Sequence, residues 1–371
     1  MSERIGEVVD AVAAAVDDWA LMKAAALEGA AALDAGRGDG STRSQSSAAE
    51  FLRWLVDDHF TFIGSRDHTV DDDGTEAVAA IPGSGLGMLR SDQTAESITP
   101  LGGSTSTVDG GTCLSIGKSR AVLPVQRVTH PDLVAVRFRD PQGVLVERRF
   151  AGLFSSTAYT ESVLDIPLIA DKVTQILADS GWARESHSGA FTMRLLETFH
   201  RDELFQAPVD HLRHVVTRIQ QMVHRIRTAT FLRLDSGKQF VTAIVYLPRD
   251  RYTTVVRHRV EEHLREATGA DEVSFTAHVS DEPMARLYYI LRSSTRVHLP
   301  TTKEQQDLDA AVADAVLTWE ERLERTANEL VGPETASTLL APWVEGFPVD
   351  YRDDFDAAQA VADLKNLIRL D

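Results

Sequence analysis

Two short charged strings are set among apolar neighbours, and they are where chemistry would be sought first. In Phe199–Gln206, Arg201, Asp202 and Glu203 lie between Phe199 and Leu204-Phe205. In Tyr246–Thr254, Arg249, Asp250, Arg251 and Tyr252 join an apolar run to a helical pattern. Each string has two readings. Acidic residues before a helix favour its first turn, where backbone N–H groups lack partners and the dipole is positive. The same strings could instead anchor a domain interface or, at a strand-to-helix turn, offer backbone N–H groups to a carboxylate ligand. Arg201, Asp202, Glu203, Arg249, Asp250, Arg251 and Tyr252 are therefore the candidate ligand or interface residues.

Other chemistry-bearing patterns fail on spacing. Gly111–Ser119, GTCLSIGKS, has five residues between its first Gly and Gly-Lys-Ser where a phosphate-binding loop has four, and a strand-like RAVLPVQRV follows where a helix should start. Gly83–Gly87, GSGLG, places its third glycine too early for a dinucleotide fingerprint, and no buried strand precedes it. His211 and His214 lie three apart, and His258 and His263 five apart, with no HExxH and no carboxylate cluster beside them. The single cysteine, Cys113, excludes an intramolecular disulfide and a zinc site needing two thiolates. No catalytic, cofactor-binding or metal-binding residue is assigned.

The elements that must hold these strings follow from periodicity. Ile5, Val8, Val9, Val12, Val16, Trp19 and Met22 recur at helical intervals, predicting one amphipathic helix over 1–35. GRGDGSTRSQSS then reads as a polar linker over 36–47. After a helix carrying Phe51, Leu52, Trp54 and Leu55, the pattern turns to strands. Runs on either side of Asp140-Pro141-Gln142-Gly143 form a hairpin, and Pro82 to Thr112 is a loop excursion with weak strands. Helices return over 161–225. Next, TATFLRL and FVTAIVYL flank Asp235-Ser236-Gly237, a helix carries Val256, Val260 and Leu264 inward, Val273, Phe275, Ala277 and Val279 alternate with polar residues, and RLYYILR pairs with them. This ββαββ order is an antiparallel sheet covered by a helix, of ferredoxin-like character. Leu308 to Leu323 make one stripe over four helical turns, and prolines break the remainder of 301–371 into short helices.

The 371 residues carry 38 Lys plus Arg against 56 Asp plus Glu, a formal charge of −18 that argues against a nucleic-acid surface. The charge is uneven: His211 to Pro300 holds 14 basic and 9 acidic residues, but its strands lack exposed aromatic stacking pairs. No apolar run reaches the ~20 residues that span a bilayer, and the acidic N-terminus is no signal peptide. A cytoplasmic protein with no membrane and no nucleic-acid partner is expected.

Several strings together resemble the large bacterial NAD-specific glutamate dehydrogenases. They are FLRWLVDDHFTFIGSRDH, FAGLFSSTAY, IPLIADKV, ETFHRDELFQ, FVTAIVYLPRDRYTTVVR, TWEERL and FPVDYRDDF, in the family's order and over almost the whole chain. The chain departs at His200, where the family carries proline, at Ser65, where it often carries tyrosine, and after Trp319, where it is shorter. The resemblance is to the N-terminal, non-catalytic region with its ACT-like amino-acid-sensing modules. It implies an α+β fold with two ACT-like, ferredoxin-like antiparallel-sheet modules, over 48–160 and 226–300, joined and flanked by helices. It further implies an earlier β-rich module before Met1 and, after Asp371, catalytic domains that bind glutamate and NAD. No cofactor is expected in this chain itself. The implied partners are other subunits, the parent's catalytic domain and an amino-acid effector. The implied role is regulation or assembly; a purely structural oligomerisation module is the alternative.

Overall fold

The computed structural model describes residues 2–38, 40–70, 77–90, 113–119, 130–222, 227–343 and 346–368. The string RAVLPVQRV, most of the Pro82–Thr112 excursion, and Gly111-Thr112 lie outside them. Two compact units emerge, one of Met1–His224 with Arg233–Val241 and one of Arg225–Leu232 with Thr242–Asp371.

The first unit opens with two helices where one was expected. Helix α1 (Ser2–Asp17) and α2 (Trp19–Asp34) are separated at Asp18. The break has a long-range cause: the buried Asp18 carboxylate accepts from Gly87 N at 2.7 Å and from Arg90 at 2.5 and 2.6 Å. Gly87 has φ +58, and a Cβ there would lie 2.3 Å from Ile63 O, so only glycine brings its N–H so close. The predicted linker over 36–47 is also corrected. Helix α3 (Thr42–Trp54) starts inside it, capped by the Ser41 side chain, which accepts from Ser44 N at 3.1 Å. Ser44, Gln45 and Ser47 are buried, and the Gln45 amide accepts from Gly38 N at 2.9 Å and donates to Gly40 O at 3.0 Å.

Strand β1 (Phe60–Val70) follows and anchors a six-stranded antiparallel sheet in the order β2-β1-β6-β5-β4, with β3 paired to β1. The remaining strands are β2 (Ala77–Ala80), β3 (Leu86–Gly87), β4 (Leu114–Lys118), β5 (Asp132–Arg139) and β6 (Leu145–Phe154). The expected hairpin is β5–β6, and Asp140 Oδ1 closes its turn by accepting from Gln142 N and Val144 N at 2.9 Å. No α-helix interrupts these strands among the described residues. Helices α4 (Ser156–Thr160), α5 (Pro167–Ser180), α6 (His187–Glu197), α7 (Arg201–Gln206) and α8 (Val209–Met222) complete the unit.

A second sheet, in the order β7-β8-β10-β9, has the predicted ββαββ sequence. It comprises β7 (Ala229–Leu234), β8 (Phe240–Pro248), α9 (Thr254–Thr268), β9 (Glu272–His278) and β10 (Met284–Arg292). The hairpin tip, Arg233–Val241, belongs to the first unit and the rest of this sheet to the second. Gly269 ends α9 at φ +71, a left-handed cap.

The expected four-turn stripe after Leu308 is split. Helix α10 (Thr302–Ala315) stops, and α11 (Trp319–Val331) restarts with a capping box in which Thr318 accepts from Glu321 N and Glu321 accepts from Thr318 N. Helices α12 (Pro333–Leu340), α13 (Val349–Asp354) and α14 (Ala357–Ile368) end the chain around a core of Trp319, Leu323, Leu339 and Leu364. The fold is therefore α+β, with two antiparallel sheets and flanking helices among the described residues.

Candidate functional site

The first charged string forms helix α7, and all six of its residues are buried. A helix this short does not hold itself together in water. Its apolar anchor is Phe205, whose ring stacks on Phe154 at 4.3 Å and tilts against Phe51 and Trp54 at 5.9 and 6.0 Å. Burying such a ring contributes roughly 1.5–3 kcal/mol. The polar side chains of α7 diverge from this anchor towards different elements.

Asp202 faces the first sheet. Its Oδ2 lies 3.0 Å from Lys118 Nζ of β4, and its Oδ1 accepts from Tyr159 at 2.7 Å. Lys118 also donates to Asp132 Oδ1 of β5 at 2.7 Å, so two buried carboxylates share one ammonium. Burial pushes Asp132 up to about 6 against the pull of Lys118. Burial also acts to raise Asp202, but Lys118 and His200 outweigh it and hold that carboxyl down at about 2. Burial disfavours the Lys118 charge as well, yet the two carboxylates prevail and hold its pKa above the usual lysine range.

Glu203 faces the hairpin tip. Arg233 of β7 donates to both its oxygens, at 2.6 and 2.8 Å, and His211 Nε2 approaches to 3.6 Å. The Glu203 side chain is fully buried and that of Arg233 is 8% exposed, so this is an interior, two-pronged ion pair. Arg201 turns back, donating to Glu161 O at 2.9 Å and lying 3.4 Å from the Glu197 carboxylate.

The far end of α7 is closed by Lys172 of α5. Its ammonium donates to the carbonyls of Leu204, Phe205 and Ala207 at 2.8, 2.9 and 2.9 Å, satisfying acceptors that a helix end leaves orphaned. Burial, and then Arg233, bring Lys172 down to about 7, with Glu203 opposing.

The second string is built differently. Arg249 and Asp250 are exposed on a three-residue 3-10 turn, and Arg251 pairs with Glu321 of α11 at 2.8 and 3.0 Å. Tyr252 N donates to Arg249 O, and the Thr253 side chain caps α9 by accepting from Val256 N at 3.2 Å. Two amides of this turn, Tyr252 N and Val256 N, are thus engaged by the chain. Arg201, Asp202 and Glu203 share helix α7 of the first unit and reach different partners; Arg249 to Tyr252 belong to the second unit.

Sequence reasoning misses the partners. Lys118 stands out in the sequence only as the lysine of a failed phosphate loop, yet it shares the inward parity of Leu114 and Ile116. Lys172 sits inside the apolar stripe of Leu168, Ile169, Val173 and Ile176, and Arg233 shares a strand face with Phe231. A long cation at an inward position is the signal that could have found them. Also missed is a buried group on the first sheet, where Glu147 lies 2.7 Å from Arg137 and 2.6 Å from Arg149. Beside it, burial and Arg149 hold His68 down at about 4.

The other sequence motifs do not become sites. Gly83–Gly87 runs into β3, which pairs with β1 and opens no α-helix, so it does not fit a dinucleotide pyrophosphate. Among the described residues no group of three His, Cys, Asp or Glu could hold a metal ion, and no helix is long and apolar enough to cross a membrane. A hollow of about 440 Å³ beside Trp343, Phe347, Tyr351 and Leu364 is apolar, and its Asp363 already accepts from Tyr351.

Comparison with known proteins gives this geometry a context. A family model described as "Glutamate dehydrogenase, ACT2 domain" matches residues 229–320. Models for the glutamate dehydrogenase helical motifs 1 and 2 match 166–225 and 328–370. NAD-specific glutamate dehydrogenases of Halomonas elongata and Pseudomonas aeruginosa are each 32% identical, over 98% and 100% of this chain. That of Mycobacterium tuberculosis is 28% identical over 89%. The chain spans about a quarter of the length of the first two, 23% of each. Helix α7 lies within the helical motif 1 match and Arg233 within the ACT2 match. The chain belongs to the family of large NAD-specific glutamate dehydrogenases and corresponds to their N-terminal region.

Proposed function

We propose that this chain is a regulatory and assembly module of an NAD-dependent glutamate dehydrogenase and performs no turnover itself. The parent would oxidise L-glutamate with NAD⁺ and water to 2-oxoglutarate, ammonium, NADH and a proton, holding NAD outside these residues. The observation that carries this reading is the α7 cluster. Asp132, Asp202, Glu203, Arg233 and Lys172 are buried, Lys118 keeps 10% of its side chain exposed, and all six are bound to one another or to backbone carbonyls. Groups bound in this way transmit force between elements; they do not receive a substrate. An amino-acid effector would act by binding one arrangement of the module more tightly than another.

The second reading, a structural module with no small ligand, is favoured by the capped Arg249–Thr253 turn. Two measurements on the purified chain separate the readings. No glutamate-dependent NADH formation is expected, and turnover would overturn the proposal. Thermal unfolding with each amino acid should reveal an effector, since a ligand at 100 times its Kd stabilises by about 2.7 kcal/mol. No response across the set leaves the structural reading.

A further inference from the structure

The Glu147 group of the first sheet has no part in either role proposed above. Strand alternation sets it on the face away from α2. Arg148 donates to Ala25 O and Glu28 of that helix at 2.9 and 2.7 Å, so Glu147 and Arg149 point to the other side. The strand register gathers their neighbours on that side. Arg66 of β1 stands directly opposite Arg149 of β6, His68 of β1 opposite Glu147, and Arg137 of β5 opposite Glu147 from the other flank. All five side chains belong to buried residues; His68, at 9%, is the most exposed.

One carboxylate serves two of the guanidiniums. Glu147 accepts from Arg137 Nε at 2.7 Å with one oxygen and from Arg149 Nε at 2.6 Å with the other. Two further nitrogens, Arg149 Nη2 and His68 Nδ1, are buried with no hydrogen-bond partner among the described residues. Buried polar groups are ordinarily paired, and a charged donor left bare is the costliest exception. The acceptor that would pair them must be negative. Burial lowers the His68 pKa, and Arg149 and Arg66 lower it further against Glu147, so the field at the imidazole is positive.

The placement of these groups narrows the anion. Arg149 and His68 come from adjacent strands and stand one register pair apart along the face, so they approach from different directions. A planar carboxylate accepts mainly in one plane, the role Glu147 already fills between Arg137 and Arg149. A tetrahedral phosphate presents oxygens on every side and suits guanidinium donors. We propose that Arg149 and His68, with Arg66 adding charge beside them, form a binding site for a phosphate group, carried by free phosphate or by a nucleotide. The ligand enters past His68. The site is independent of the amino-acid effector considered above, and its test reads neither turnover nor amino-acid binding.

Calorimetric titration of the whole chain with inorganic phosphate and with AMP, at constant ionic strength, tests the site. One saturable event per chain is expected, with a Kd on the order of 0.1 mM. Tighter binding of AMP identifies a nucleotide as the source, and equal or tighter binding of inorganic phosphate identifies the free ion; both uphold the site. Arg149→Lys, which keeps the charge beside Glu147 but loses the fork, should weaken binding about ten-fold. His68→Leu should weaken it by a similar factor, and it decides the matter if Arg149→Lys does not fold. Arg148→Lys, on the opposite face, should leave the affinity unchanged. The proposal is overturned by the absence of saturable heat up to about 10 mM of either ligand. Full affinity in both Arg149→Lys and His68→Leu, or equally tight binding of succinate, a dicarboxylate without phosphorus, overturns it as well.

Discussion

Arg201-Asp202 and Arg249-Asp250 are the same dipeptide in two surroundings. The first is buried within α7, held by Glu161, Lys118 and Tyr159; the second lies exposed on a 3-10 turn. Both precede or open a helix, so end effects do not separate them. What separates them is the next residues. Leu204 and Phe205 drive α7 into an aromatic core, whereas Tyr252 and Thr253 are followed by a long helix that needs only a cap. A charge carried inward by its apolar neighbours must find a partner, and Lys118, Arg233 and Lys172 are those partners.

This contrast can be broken most directly at Glu203. Glu203→Ala leaves the Arg233 guanidinium buried without its carboxylate and should cost about 3–5 kcal/mol in urea unfolding. Asp250→Ala should stay within about 0.5 kcal/mol. Equal costs would dissolve the distinction between the two strings.

Titration sharpens it further. Asp132 is raised in the folded state to about 6, so its contribution is full below the unfolded carboxyl value and is lost as pH rises through about 6. Asp202, held at about 2, contributes above the unfolded value and loses that contribution only as pH falls towards 2. Asp132→Asn should therefore gain about 1–3 kcal/mol relative to the parent chain between pH 4 and pH 7. A pH-independent difference would show that Asp132 does not carry the raised titration.

The smallest effect belongs to the exposed string. Arg251 and Glu321 keep 27% and 41% of their side chains exposed, so Arg251→Ala should cost about 0.5 kcal/mol and less in high salt. A loss above about 2 kcal/mol would mean that this turn is held as firmly as α7.

The second sheet was legible because its periodicities are clean. Val273, Phe275, Ala277 and Val279 alternate without interruption, and Val256, Val260 and Leu264 keep a helical stripe. Elsewhere long-range contacts decided. Nothing local ends a helix at Asp18; Gly87 and Arg90, about 70 residues away, do so by drawing on its carboxylate. The serines of 41–47 suggest a linker because they favour turns, yet with Ser41 as cap they become the close-packed start of α3. Of the α7 cluster, the acidic first turn was readable. Which cations would meet it was not, since Lys118, Lys172 and Arg233 come from three other elements.

Lys172 gives α7 one more property. A six-residue helix whose last carbonyls end on a side chain from another helix has no independent melting of its own. Its amide hydrogens can meet solvent only when α5, the first sheet and the hairpin tip loosen together. The hydrogen-bonded amides of Glu203, Leu204 and Ala207 thereby form a built-in gauge, whose hydrogen exchange reports the cooperative opening around α7.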